Sequence, residues 1–264
     1  MLKYVDISKY QGNIDFAKLE KEVDGVIIRA GYGRNTIDPY FEKYAKGCVA
    51  NNIPFGVYWF SYALNREDAR QEAKACLEAI KPYKVELPVC FDFEGDSVRY
   101  AKDNGVTITK SLASAIARTF CSYVENAGYY AANYANEDYC KNYFDADVLS
   151  KYALWYARYL NAPNLSKPPR ECAMWQYTST GKVNGISGNV DVNAVYVDFR
   201  AIIAKAGLNN LQSDSSTGEN KKPWYSDAQA WAVEKGITDG SDPTAPATRA
   251  EVWAMLQRAF AKGE

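Results

Sequence analysis

The chain has 264 residues, room for one large domain or a medium one with a small companion, and its 47% apolar content supplies a sizeable core. The formal net charge of −1 argues against nucleic acid as the principal ligand. No histidine occurs, which excludes a Ser-His-Asp or Cys-His nucleophile and a zinc hydrolase site built on histidine, and leaves proton transfer to Asp, Glu, Lys, Tyr or Cys.

Strand-like apolar runs open the chain at 3–7, 24–33, 53–63 and 86–95, with helical patterns at 14–23, 39–52 and 66–80 between them and a longer helix at 109–126. Strand alternating with helix predicts parallel pairing, and the continuously apolar strand interiors predict a sheet covered on both faces. After residue 127 the rhythm changes. Strands read at 128–136, 152–159, 172–178 and 189–196, and the last three are joined by stretches rich in Asn, Pro and Gly instead of long helices. A closing helix reads from 197 to 206. Eight strands with about five main helices predict an α/β fold: an irregular β/α barrel over residues 1–206 whose last third is mostly β.

Residues 207–222 (GLNNLQSDSSTGENKK) are polar and aperiodic and read as a linker. Residues 223–264 are too few for a large core of their own and read as a small helical module. Its first helix spans 224–236, with Ser226 or Asp227 near the N-cap and Gly236 at the stop; its second spans 248–262, with Thr248 and Glu251 as a capping box, across a loop at 240–247.

The six cysteines, Cys48, Cys76, Cys90, Cys121, Cys140 and Cys172, are widely spaced without a C-x-x-C, so they are expected to act as small apolar residues and not as a metal site or disulfide framework. The opening MLKYVDISKYQG has no apolar signal-peptide core and no run approaches the length of a bilayer span. The expectation is a soluble protein made in the cytoplasm without a membrane partner, reaching any external target only after release. No cofactor or metal is called for.

The strongest chemical signal is Asp92-Phe93-Glu94, at the end of ELPVCFDFEGD. Alternate strand residues share a face, so the two acids point the same way with Cα atoms roughly 6.5–7 Å apart. Such a separation suits the carboxylate pair of glycoside hydrolysis. Asp6 ends the first strand (DISKYQG) and Asp191 lies in the last (GNVDVN). In a β/α barrel, acids at the C-terminal ends of the first, fourth and last strands would meet at one mouth. Plainer roles stand beside these: Asp6 as a cap, Asp191 on neighbouring amides, Trp155 and Trp175 as core, and Arg29 and Arg158 as ion-pair partners in the mouth.

D-x-S-x-Y-Q-G at 6–12, D-x-E at 92–94 and W-Q-Y…G…G…D-x-N from Trp175 to Asn193 occur in the order and spacing of family 25 glycoside hydrolases, and residues 2–206 resemble that family, lysozymes found as phage endolysins and in bacterial and fungal secretions. The resemblance implies a barrel of five β/α units plus three further strands, and cleavage of the β-1,4 bond from N-acetylmuramic acid to N-acetylglucosamine in peptidoglycan. It implies Glu94 as the general acid, Asp92 as its partner, and Asp6 and Asp191 as flanking acids. Tyr62 and Tyr134 match aromatic residues of the groove, with Tyr58, Trp155 and Gln176 as further substrate-binding candidates. Glu94 beside anionic Asp92 is expected to hold its proton to a raised pH. Asp92 is then either a base or the support of a substrate N-acetyl group, and both remain open.

The tail pieces WYSDAQAWA, KGITDG and TRAEVWAMLQRAF resemble an S-layer-homology repeat, which implies binding to a secondary cell-wall polymer. Such repeats usually come in threes, so a lone one is expected to bind weakly, to assemble a homo-oligomer through the tail, or to take another ligand. A helical dimerisation hairpin is the plain alternative. The leading expectation is a wall-lytic muramidase of phage-endolysin type acting on a Gram-positive host. A non-catalytic wall-binding protein and a different hydrolase (amidase or peptidase) are the competing ones.

Overall fold

The computed structural model describes residues 1–211, 226–238 and 249–260. The chain divides into two compact units, Met1–Asp214 and Ser215–Glu264.

The first unit runs β1 (Leu2–Ile7), α1 (Phe16–Leu19), β2 (Gly25–Tyr32), β3 (Thr36–Ile37), α2 (Phe41–Ala50), β4 (Phe55–Phe60), α3 (Arg66–Ile80), β5 (Val89–Asp92), α4 (Gly95–Asp103) and α5 (Lys110–Asn126). It continues with β6 (Ala131–Asn136), α6 (Glu137–Asn142), α7 (Ala146–Lys151), β7 (Ala153–Ala157), β8 (Met174–Gly181), β9 (Val190–Val195) and α8 (Phe199–Ala206). The sheet order is β1-β9-β8-β7-β6-β5-β4-β2-β3, and a further β1–β2 pairing closes eight strands into a ring, with the two-residue β3 outside it. Every neighbouring pair in the ring is parallel except those made by β9, which runs antiparallel to both β8 and β1. The expected α/β barrel class is the observed one.

Strand parity builds two apolar layers. In β1, Val5 and Ile7 join the layer between strands and helices, while Tyr4 joins a second layer with Cys90, Ala132, Tyr134, Trp155 and Met174. Asp6, two residues from Tyr4, therefore points into the ring. Phe199 and Ile203 of α8 belong to the same inner layer, so this helix plugs one end of the barrel.

Local chemistry explains the elements. The side chain of Asn65 accepts from the amides of Glu67 (2.8 Å) and Asp68 (3.0 Å), and these two acids sit where the N-terminal end of a helix favours negative charge. The 66–80 helix was legible to the residue. Thr109 caps α5 in the same way, through the amide of Leu112. By contrast, the helix expected at 14–23 closes after one turn, and α4, α6 and α7 were not anticipated.

Residues 207–211 correct the expected linker. Gly207 adopts the left-handed φ of +67°, and the Gly207 and Leu208 amides bond to Ala204 and Ile203 carbonyls, the Schellman arrangement that ends a helix. The chain then lies against the plugged end. Asn209 accepts from the amide of Tyr130 (2.7 Å) and donates to the carbonyls of Val85 (3.1 Å) and Leu87 (3.0 Å), and Leu211 is buried in the inner layer. These five residues belong to the barrel.

All six cysteines are unpaired; five are buried and Cys172 is half-buried. Among the described residues no helix is long and apolar enough to cross a membrane. In the second unit, α9 (Ser226–Glu234) closes on Gly236 at φ +63°, with Ile237 bonded back to Ala232, and α10 (Arg249–Phe260) follows. The expected loop at 240–247, Thr248 of the expected capping box and the remainder of the linker lie outside the described residues.

Candidate active site

Because six consecutive ring pairings are parallel, β1, β2 and β4 to β8 all end at the barrel mouth opposite α8. Asp6 lies one residue from the end of β1 and Asp92 ends β5. Asp191 reaches the mouth differently from the sequence expectation. It stands near the beginning of β9, not at its C-terminal end, and arrives there because β9 is reversed. Asp191 and Asp6 are directly opposed partners across the antiparallel β1–β9 ladder, so their side chains share a face. Glu94 lies beyond β5, at the N-cap of α4, still in extended backbone (φ −132°, ψ −166°), and its amide donates to Ser97 Oγ at 3.0 Å. The extended stretch keeps Asp92 and Glu94 on one side while Phe93 packs into the outer core.

A polar lattice holds Asp6. Its Oδ2 accepts from Gln176 Nε2 (2.9 Å) and Asn193 Nδ2 (2.8 Å). Gln176 Oε1 in turn accepts from the Tyr134 hydroxyl (2.9 Å) and the Tyr159 hydroxyl (2.8 Å), and Asn193 Oδ1 accepts from Trp155 Nε1 (2.7 Å). Trp155 is buried edge-on between Tyr58 and Tyr134, with ring centroids 6.0 and 4.9 Å away, so it forms the floor and offers no face to a sugar. Gln176 and Tyr134 are buried as well; Gln176 holds Asp6, and Tyr134 holds Gln176. Tyr58 points into the same space from β4, close enough to Arg29, Asp6, Asp92 and Asp191 to feel their charges.

Tyr62 sits outside this lattice, on the turn after β4. Its ring lies 6.4 Å from Tyr32, 5.1 Å from Phe60 and 5.0 Å from Tyr100 of α4. Side chains of α3 pin the turn: the Tyr62 amide donates to Glu72 Oε1 (2.8 Å) and the Leu64 amide to Asp68 Oδ2 (3.1 Å). The Ala63 amide donates to Ser61 Oγ (3.2 Å), and the Ser61 amide to the Asp92 carbonyl (2.7 Å).

The electrostatics favour bound protons. Burial, Asp191 and Glu94 push Asp6 up to about 8 against the pull of its two amide donors. Burial, then Glu94 and Asp6, push Asp92 well above the carboxylate range, with Arg29 opposing. Burial, then Asp96 and Asp191, raise Glu94 to about 7, and burial raises Asp191 to about 6. Desolvation is thus the main cause for Glu94, ahead of like charge, and Asp96 was not anticipated as a contributor. Asp92 and Glu94 are close enough to titrate as a pair. Glu94 is the half-buried member of the pair and Asp92 the buried one, which gives Glu94 the access a proton donor needs.

Arg29 is an ion-pair partner: its Nε and Nη2 both lie 2.7 Å from Asp38 Oδ2, beneath the rings of Tyr10 and Tyr32. Asn193 and Tyr159 are site residues the sequence reading missed. Asn193 follows Asp191 by two, so strand parity signalled it; Tyr159 lies beyond the end of β7, where no periodicity applies. Among the described residues no group of three or more potential ligands is gathered to hold a metal ion.

A barrel mouth whose acids keep protons near neutral pH, with no histidine in the chain, is equipped for glycoside hydrolysis. Comparison with known proteins agrees. The family model "Glycosyl hydrolases family 25" matches residues 5–186, and the chain belongs to that family. It is 27% identical over 197 residues to an autolytic lysozyme of Clostridium acetobutylicum, a match covering 73% of this chain and 55% of that one. Its fold matches the modular autolysin LytC of Streptococcus pneumoniae, solved with a synthetic peptidoglycan ligand (30% identity, TM-score 0.65, 74% of this chain and 46% of that one). It also matches the catalytic domain of endolysin ply40 from bacteriophage P40 of Listeria monocytogenes (26% identity, TM-score 0.58, 77% and 97%). The chain thus spans about half the length of the first two proteins.

Proposed function

We propose that the protein is a lysozyme that cleaves the β-1,4 bond between N-acetylmuramic acid and N-acetylglucosamine in peptidoglycan. The observation that carries this is Glu94: an accessible carboxyl held to about 7, paired with buried Asp92 and facing the opposed acids Asp6 and Asp191. Glu94 protonates the glycosidic oxygen. Asp92, buried beside Glu94 with Oδ1 unpartnered, is the second acid of the pair, and Asp6 and Asp191 set the charge of the cleft. The match to a relative solved with a peptidoglycan ligand supports the substrate.

The narrower reading is an endolysin lysing a Gram-positive host, supported by the likeness to the bacteriophage P40 enzyme. On that reading the protein is made in the host cytoplasm and meets the wall after release. The tail is the wall-binding part, a reading supported by its S-layer-homology-like motifs and by two exposed tryptophans, Trp231 and Trp253. Digestion of purified Gram-positive walls tests the activity. New reducing ends without new free amines are expected. Free amines would make the protein an amidase or peptidase, and binding without either product would make it a wall-binding protein.

A further inference from the structure

Two cavities flank the mouth, and they differ in chemistry. One, of about 580 Å³, lies where β7 and β8 end and is lined by Tyr159, Leu160, Asn161, Pro163, Tyr177 and residues 178–180, with no charged side chain. The other, of about 290 Å³, lies at the ends of β2 and β4. Its walls are Tyr32, Tyr62 and Tyr100, and it contains Arg34, Asp68 and Glu72.

Arg34 and Asp68 form an unequal pair. Asp68 has a side chain only 7% exposed and is committed to the Leu64 amide, the Asn65 side chain and Arg34; Arg34 is 66% exposed and spends one Nη2 donor on Asp68 at 2.8 Å. A guanidinium carries five N–H donors in a rigid fork. Anchoring one side of the fork fixes its orientation, and the exposed side presents pre-organised donors to an incoming carboxylate. Burial raises Glu72 to about 7, so near neutral pH it carries only part of its charge and opposes Arg34 less than an ordinary carboxylate would.

We propose that the Tyr32–Tyr62–Tyr100 pocket receives an acidic peptide arm of the substrate and that Arg34 binds its carboxylate. This rests on the lysozyme reading, because in peptidoglycan the muramic sugars bear short peptides ending in carboxylates. Tyr62 and Tyr100 connect the pocket to the reacting centre, since α4 carries Tyr100 and has Glu94 as its N-cap. The rings supply apolar surface for peptide backbone and small side chains, and the cation supplies the anchor. Arg34 would make the enzyme favour glycan that carries uncapped peptide arms.

The test uses the full chain and two glycans from one wall preparation, one with its peptide arms and one stripped by an amidase. Reducing ends give kcat and KM for wild type, Arg34→Ala and Arg34→Lys. Arg34→Ala is expected to raise KM about tenfold on the peptide-bearing glycan, as loss of a charge-assisted hydrogen bond implies, with kcat held and the stripped glycan unaffected. Arg34→Lys is expected to recover part of the loss. Equal impairment on both glycans, or no change on either, would overturn the peptide-arm site while leaving the lysozyme reading intact. A wild type inert on both glycans would overturn the two together.

Discussion

Asp6 and Asp191 stand opposite one another on neighbouring antiparallel strands, contributed by the two ends of the barrel sequence. The reversal of β9 creates this pairing: a parallel β9 would have carried Asp191 away from the mouth where Asp92 and Glu94 lie. Two carboxyls so placed cannot both ionise cheaply, and the protons they retain shape the pH behaviour of the enzyme.

Replacing Glu94 by Gln removes the transferable proton and keeps the shape. Wall clearing should fall about 10²–10⁴-fold. Thermal stability should be unchanged or higher, because a half-buried carboxyl in an acidic cleft has been neutralised. A turbidity assay with a melting curve on the same sample checks both.

The rate should decline as pH rises through about 7, where Glu94 loses its proton. Stability should follow the same sign. Asp6 holds its proton to about 8 and Glu72 to about 7 in the folded chain. When unfolded, both release it near the ordinary carboxylate value of about 4. Between those limits the folded state binds more protons, so the contribution of these two groups to stability is full below about pH 4 and is lost as pH rises to about 8. Urea midpoints at pH 5 and pH 8.5 should differ in that order, and Asp6→Asn should flatten part of the difference. A midpoint that rises over this range would show that Asp6 and Glu72 are ionised in the folded protein.

Gln176→Leu should be worse than its size suggests. The amide serves Asp6, Tyr134 and Tyr159 together. Its loss leaves the buried Asp6 carboxyl and the buried Tyr134 hydroxyl short of a partner, at about 1–3 kcal/mol for each, while water can replace the bond to exposed Tyr159. Both Tm and kcat should drop, whereas Tyr159→Phe should cost much less.

Asn209→Ala separates fold from chemistry. It removes three side-chain hydrogen bonds at the plugged end, remote from the acids. A loss of about 2–4 kcal/mol in denaturant unfolding is expected, with kcat at 25 °C retained. Truncation after residue 206 should destabilise the barrel similarly, and truncation after residue 211 should not.

How far the sequence revealed the fold depended on which forces set each element. Helix α3 was legible because Asn65, the first-turn acids and the apolar spacing all specify it locally. The D-x-E pair was legible because strand parity is local too. Helix α1 was over-read: beyond Leu19 the run Glu20-Lys21-Glu22 offers no apolar face, and the helix ends after one turn. The reversal of β9 is set by antiparallel pairing with β8, which precedes it across a short connection, and with β1 at the far end of the barrel sequence, so the placement of Asp191 could be expected but its route was missed. Residues 207–211 looked like linker because Asn and Gly are common there; what makes them structural is the distant backbone that Asn209 meets and the inner layer that buries Leu211.

The unpaired cysteines make this barrel its own unfolding reporter. Five of the six cysteines are buried and Cys172 is half-buried, and burial raises all six thiols away from their reactive form, so access alone sets Cys172 apart. A thiol reagent should therefore modify half-buried Cys172 first and the others only when their helices and strands open, so the order of alkylation would trace which parts of the ring come apart soonest.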